Sequence, residues 1–86
     1  MKIKEGFTLK EVAGKSLIVA TGEQALNFNK VIHVNHSGKI IFEALLKERT
    51  EDELVEILLK TYDAKESVIR NDVKTFLKVL KVHDIL

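Results

Sequence analysis

The sequence predicts an α+β fold: a three-stranded antiparallel meander followed by three helices in a winged-helix-like packing. Three observations carry that expectation. Strand-forming residues cluster in two runs around Gly14 and in a third run that ends at Val34. After Asn35 the apolar residues change from an alternating to a helical period. Thr50-Glu51-Asp52-Glu53 then places a hydroxyl and a carboxylate three residues apart, the spacing of a helix capping box.

Phe7-Thr8-Leu9-Lys10-Glu11-Val12-Ala13 and Lys15-Ser16-Leu17-Ile18-Val19-Ala20-Thr21 form the first two expected strands, with Gly14 supplying the turn. A second turn signal, Gly22-Glu23-Gln24, precedes a third strand over Phe28-Asn29-Lys30-Val31-Ile32-His33-Val34. Asn35 can cap a first helix whose apolar face is Ile40, Ile41, Ala44 and Leu45. The second helix starts at Thr50, and Leu54, Ile57, Leu58, Thr61 and Tyr62 follow at helical spacing. A third runs from Glu66 or Ser67 to Val82, with Ile69, Val73, Phe76, Leu77 and Leu80 on one stripe, and Ile85 and Leu86 close the chain. Neither a proline nor an internal repeat interrupts this order.

At 86 residues the expected organisation is one domain over 1–86, because a core this small is near the lower limit at which burial offsets conformational entropy. Apolar residues at 45% and charged residues at 31% fit a globular chain rather than a disordered or membrane-embedded one. No run approaches the roughly 20 apolar residues that span a bilayer, and Met1-Lys2-Ile3-Lys4-Glu5 lacks the apolar stretch of a signal peptide, so the reading is cytoplasmic with no membrane partner. Without cysteine there are no disulfides, thiolate metal sites or cysteine nucleophiles. A net charge of +1 gives no strong attraction to phosphate backbones.

The chemistry of catalysis is missing from the sequence. His33 and His36 straddle a strand-to-helix junction with no acidic or cysteine cluster beside them, and they read as a sheet-edge histidine and a first-turn histidine rather than metal ligands. Ser16, Ser37 and Ser67 fit turns and caps better than nucleophiles. Asn35-His36-Ser37-Gly38-Lys39 has a Gly-Lys pair but no second glycine upstream to cradle a phosphate. The expectation is a non-enzymatic protein with no catalytic residue, metal or cofactor.

Binding is better supported. At about 100° per residue, the last helix places Arg70, Lys74, Lys78 and Lys81 opposite its core arc, and between the two lies a stripe of Val68, Asp72, Thr75 and Val79. Apolar residues outside the core arc either call for a partner or, as Val68 and Val79 could, widen the packing face against the first helix. The last strand of a meander lies at a sheet edge, where free N–H and C=O groups accept an added strand. Together these give a candidate peptide-binding site of Asn29, Lys30, Val31, Ile32, His33 and Val34 on the strand and Val68, Asp72, Thr75 and Val79 on the helix, with Lys30, His33 and Asp72 as the selective groups. The competing class is a winged-helix DNA-binding transcriptional regulator. It is poorly met, because the second helix carries Glu51, Asp52, Glu53 and Glu56 and the basic residues of the third fit a solvated face.

The ordered set Val34-Asn35-His36-Ser37-Gly38, Ile40-Ile41-Phe42-Glu43-Ala44-Leu45-Leu46, Thr50-Glu51-Asp52-Glu53-Leu54 with Leu58 and Tyr62-Asp63, and Asp72-Val73-Lys74-Thr75-Phe76-Leu77 with Leu80 and Ile85-Leu86 resembles the PqqD family. The resemblance covers nearly the whole chain. It implies a stand-alone recognition element that binds the leader of a ribosomally made, post-translationally modified peptide between the third strand and third helix. The implied partners are that precursor peptide and a modifying enzyme, commonly a radical S-adenosylmethionine enzyme. One departure is that His83-Asp84 replaces the glycine often found before the final apolar pair.

Overall fold

A two-residue connection at Ala13-Gly14 sets the register of the sheet. The computed structural model describes residues 1–27 and 31–86. Strand β1 (Phe7–Val12) pairs antiparallel with β2 (Lys15–Ala20), from Val12 opposite Lys15 to Phe7 opposite Ala20. Ala13 and Gly14 both have positive φ, 53° and 78°, as the twist of a tight hairpin requires, and glycine is the residue that takes this conformation without strain. A four-residue helical segment, α1 (Gln24–Asn27), follows β2, and β3 (Ile32–Val34) then pairs antiparallel with β2, giving the order β1-β2-β3.

Helices α2 (His36–Ala44), α3 (Glu51–Thr61) and α4 (Glu66–Val82) complete the fold. The expected α+β order is present, with α1 as an addition inside the meander where the sequence reads only as a turn. The third strand is shorter than expected. Val31 lies outside it, and the Phe28, Asn29 and Lys30 portion of the expected strand lies outside the described residues.

Local chemistry fixes where the helices begin. Asn35 Oδ1 accepts from the Gly38 N–H at 2.9 Å and from the Ser37 hydroxyl at 3.0 Å, so α2 starts on a side-chain cap. Both halves of the α3 capping box form: Thr50 Oγ1 accepts from the Glu53 N–H at 3.2 Å, and Glu53 Oε1 accepts from the Thr50 N–H at 2.9 Å. Helix α4 differs. Its cap position is Lys65, which makes no side-chain capping bond, and Ser67 lies inside the first turn instead of at the cap.

The core is built from Ile18 of β2, Ile41 and Phe42 of α2, Leu54, Val55 and Leu58 of α3, and Ile69, Val73, Leu77 and Leu80 of α4, with Leu45 and Ile85 from the segments that follow α2 and α4. Backbone bonds from the Ile3 N–H to Leu45 O and from the Lys4 N–H to Ile85 O, both 2.9 Å, bind the first residues to the ends of α2 and α4. Phe76 is only half-buried and packs against the rim of this core, whereas its stripe partners Ile69, Val73, Leu77 and Leu80 are enclosed.

The end of α4 answers the departure at His83-Asp84. The Asp84 N–H donates to Lys81 O at 3.1 Å and the Ile85 N–H to Leu80 O at 2.8 Å, the two bonds of a Schellman motif, with Ile85 buried behind them. Its geometry requires a left-handed residue, and Asp84 supplies one at φ 58°. A non-glycine residue is strained there, and a carboxylate at a helix C-terminus opposes the helix dipole. Asp84→Gly is therefore expected to stabilise the fold by about 0.5–1 kcal/mol after its gain in unfolded-chain entropy is subtracted, read from the midpoint of urea unfolding. A loss of stability would mean that the exposed Lys4–Asp84 ion pair outweighs the backbone strain.

Candidate peptide-binding site

Strand β3 pairs with β2 alone among the described residues, through Ile32 opposite Ile18, His33 opposite Leu17 and Val34 opposite Ser16. Among the described residues its other side is an open edge. Ile32 and Val34 pack against the core, while His33 is exposed on the opposite face. Val31, just ahead of the strand, is 54% exposed.

Helix α4 meets the end of this strand over Gly38. A Cβ built on Gly38 would lie 3.0 Å from Phe76 Cε1, 3.2 Å from Asn35 Oδ1 and 3.3 Å from Val34 Cβ. The absent side chain thus lets a residue of α4 and a residue of β3 close on the base of α2. On the rim of α4, Val68 is 51% exposed, Asp72 and Thr75 are exposed, and Val79 is half-buried, and neither valine belongs to the core packing. The Thr75 hydroxyl donates to Asn71 O at 2.9 Å within its own helix. The stripe continues to Val82, which is 71% exposed and was not among the expected site residues.

Two hollows flank Asn35 and His36. One of about 380 Å³ is lined by Asn35, His36 and Ser37, by Tyr62, Asp63 and Ala64 between α3 and α4, and by Val68, Ile69 and Asp72. The second, about 540 Å³, lies toward the hairpin tip and includes His33, Val34, Lys15, Lys39 and Glu11. Of the expected site residues, Val68 and Asp72 therefore share one hollow and His33 and Val34 the other. Val31, Ile32, Thr75 and Val79 line neither, and Asn29 and Lys30 lie outside the described residues.

Between the hollows stands a pair that sequence reasoning missed. His36 Nδ1 and the Tyr62 hydroxyl are hydrogen-bonded at 2.5 Å, with the rings edge to face at 6.0 Å between centroids. They are 26 residues apart, so no local pattern couples them. In the second hollow, the Lys39 ammonium bonded to the Glu11 carboxylate holds Glu11 below the usual carboxylate range and raises Lys39.

The basic face is smaller than the sequence suggests. The Arg70 guanidinium bonds Glu51 at 2.8 Å and Asp52 at 3.0 Å, joining α4 to the acidic first turn of α3, and these two carboxylates raise its pKa. Only Lys74, Lys78 and Lys81 remain on that side. Among the described residues no group of three or more His, Asp or Glu side chains is placed to hold a metal, and no helix is long and apolar enough to cross a membrane.

A sheet that ends at β3 among the described residues, packed with helices of which the last carries an exposed apolar rim, is a small α+β domain. The chain belongs to the PqqD family: the model of that family, described as coenzyme PQQ synthesis protein D, matches residues 16–86. A solved structure of TbiB1 in complex with the TbiA(beta) leader peptide shares the fold, with a TM-score of 0.77 over 100% of this chain and 94% of that one at 16% identity. No curated protein matches the chain.

Proposed function

We propose that the chain is a non-enzymatic leader-peptide recognition element of the cytoplasm. It binds the leader of a ribosomally made precursor as a strand added to β3 against α4, and presents it to a separate radical S-adenosylmethionine enzyme. The carrying observation is the conjunction of the open β3 edge with the apolar rim of α4, where Val68 and Val82 are exposed and Val79 is half-buried. Family membership supports this reading, and so does a similar fold that was solved with a leader peptide bound.

The DNA-binding alternative is weakened by the engagement of Arg70 with α3 and by Glu51, Asp52 and Glu53 in the first turn of that helix, where phosphate would be repelled. The test is calorimetric titration with the leader of a short precursor encoded beside this gene, using peptides N-methylated at one backbone position at a time. Strand addition predicts a period-two pattern, in which alternate methylations abolish binding and those between them do not. A uniform response would remove strand addition from the proposal. Salt-sensitive binding to random duplex without binding to the leader would favour the regulator.

A further inference from the structure

The hollow of about 380 Å³ has a specific chemistry. Its wall is Tyr62, held in place by His36, and its apolar side is Val68 and Ile69. Asp63 and Asp72 complete its lining, both exposed, and neither is ion-paired among the described residues. An apolar or acidic occupant would leave both carboxylates desolvated or face repulsion from them. A side chain with an aliphatic stem and a cationic head matches this lining: the stem suits the valine and isoleucine, and the head suits the two carboxylates and the tyrosine ring.

We infer that this hollow is an anchor subsite for one lysine or arginine of the bound leader, and that it selects leaders carrying a basic residue at a fixed position. The inference rests on the leader-binding reading. Asp72 gives the subsite a set distance from the Val79 and Val82 end of α4, so the basic residue sits at a constant spacing from the leader's apolar anchors.

The test is selection of a random 15-residue displayed peptide library on the immobilised full chain. The expected outcome is enrichment of one Lys or Arg at a constant offset from apolar positions. For a synthetic peptide of the enriched sequence, affinity should fall about tenfold or more when that residue is replaced by norleucine, and equally in an Asp63→Asn/Asp72→Asn protein, while Glu66→Gln, a charge change on the same helix outside the hollow, changes it by less than about twofold. Circular dichroism of each variant checks the fold. Enriched peptides without a basic position, or a basic preference that persists in the double variant, would overturn the subsite and leave leader binding standing. A library that yields no binder overturns both.

Discussion

Gly38→Val is expected to destabilise the protein by about 2–3 kcal/mol, a large share of the 5–15 kcal/mol typical of a domain. A Cβ alone at this position would sit 3.0 Å from the Phe76 ring and 3.3 Å from Val34 Cβ, and valine adds two methyl groups beyond it. Against this stands the roughly 1 kcal/mol by which glycine is disfavoured in a helix. Gly38→Ala, in which the half-buried Phe76 can give by a few tenths of an ångström, should therefore come out close to neutral. Thermal unfolding would register the valine variant as a fall of roughly 10–20 °C for a chain of this size. Because Phe76 and Val34 border the proposed groove, leader affinity should weaken with the shift. If Gly38→Val unfolds at the same temperature as the parent, the approach of α4 to β3 is loose and the groove has no fixed width.

What the sequence made legible and what it hid divide by range of interaction. The hairpin, the Asn35 cap and the Thr50 capping box depend on residues at most a few positions apart, and all three are read correctly from local pattern. The glycine inside α2 was visible, but its reason was not, since Phe76 reaches it from 38 positions away. Arg70 reads as an outward basic residue because its partners Glu51 and Asp52 lie on another helix. The pairing of His36 with Tyr62 is hidden for the same cause. At His83-Asp84 the departure from the family pattern marks where the end of the last helix is in question, and the positive φ of Asp84 is what the structure adds.

The candidate site was half legible on the same terms. Helical periodicity correctly separates Val68 and Val79 from the core, because angular position on α4 is a local property. It stops short of Val82, which fell at the end of the expected helix. The expected third strand includes Val31, which lies outside β3 although β2 continues past Ile18 to Ala20, since β-branched residues favour a strand without specifying where its pairing stops. The shared hollow of Asp63 and Asp72 required the α3–α4 connection to fold back on α2, which no pattern within either helix encodes.

Val79→Asp is expected to cost the leader about a hundredfold in affinity while leaving the fold intact. The short described edge of β3 offers an added strand only a few main-chain hydrogen bonds, each worth about 1 kcal/mol net, so side-chain burial on α4 has to supply much of the binding energy. A valine covered by the leader contributes up to roughly 1.5–3 kcal/mol, and an aspartate in its place adds the cost of desolvating a carboxylate without a partner. The fold should tolerate the change, because Val79 is half-buried and outside the core packing. Lys78→Asp is the matched control: it lies one position away on the exposed basic side, and at moderate salt its charge should alter only the ionic-strength dependence. Calorimetry with the leader and urea unfolding of each variant separate the two effects. If Val79→Asp binds as tightly as the parent while Lys78→Asp does not, the site is the face of Lys74, Lys78 and Lys81, and its partner is acidic.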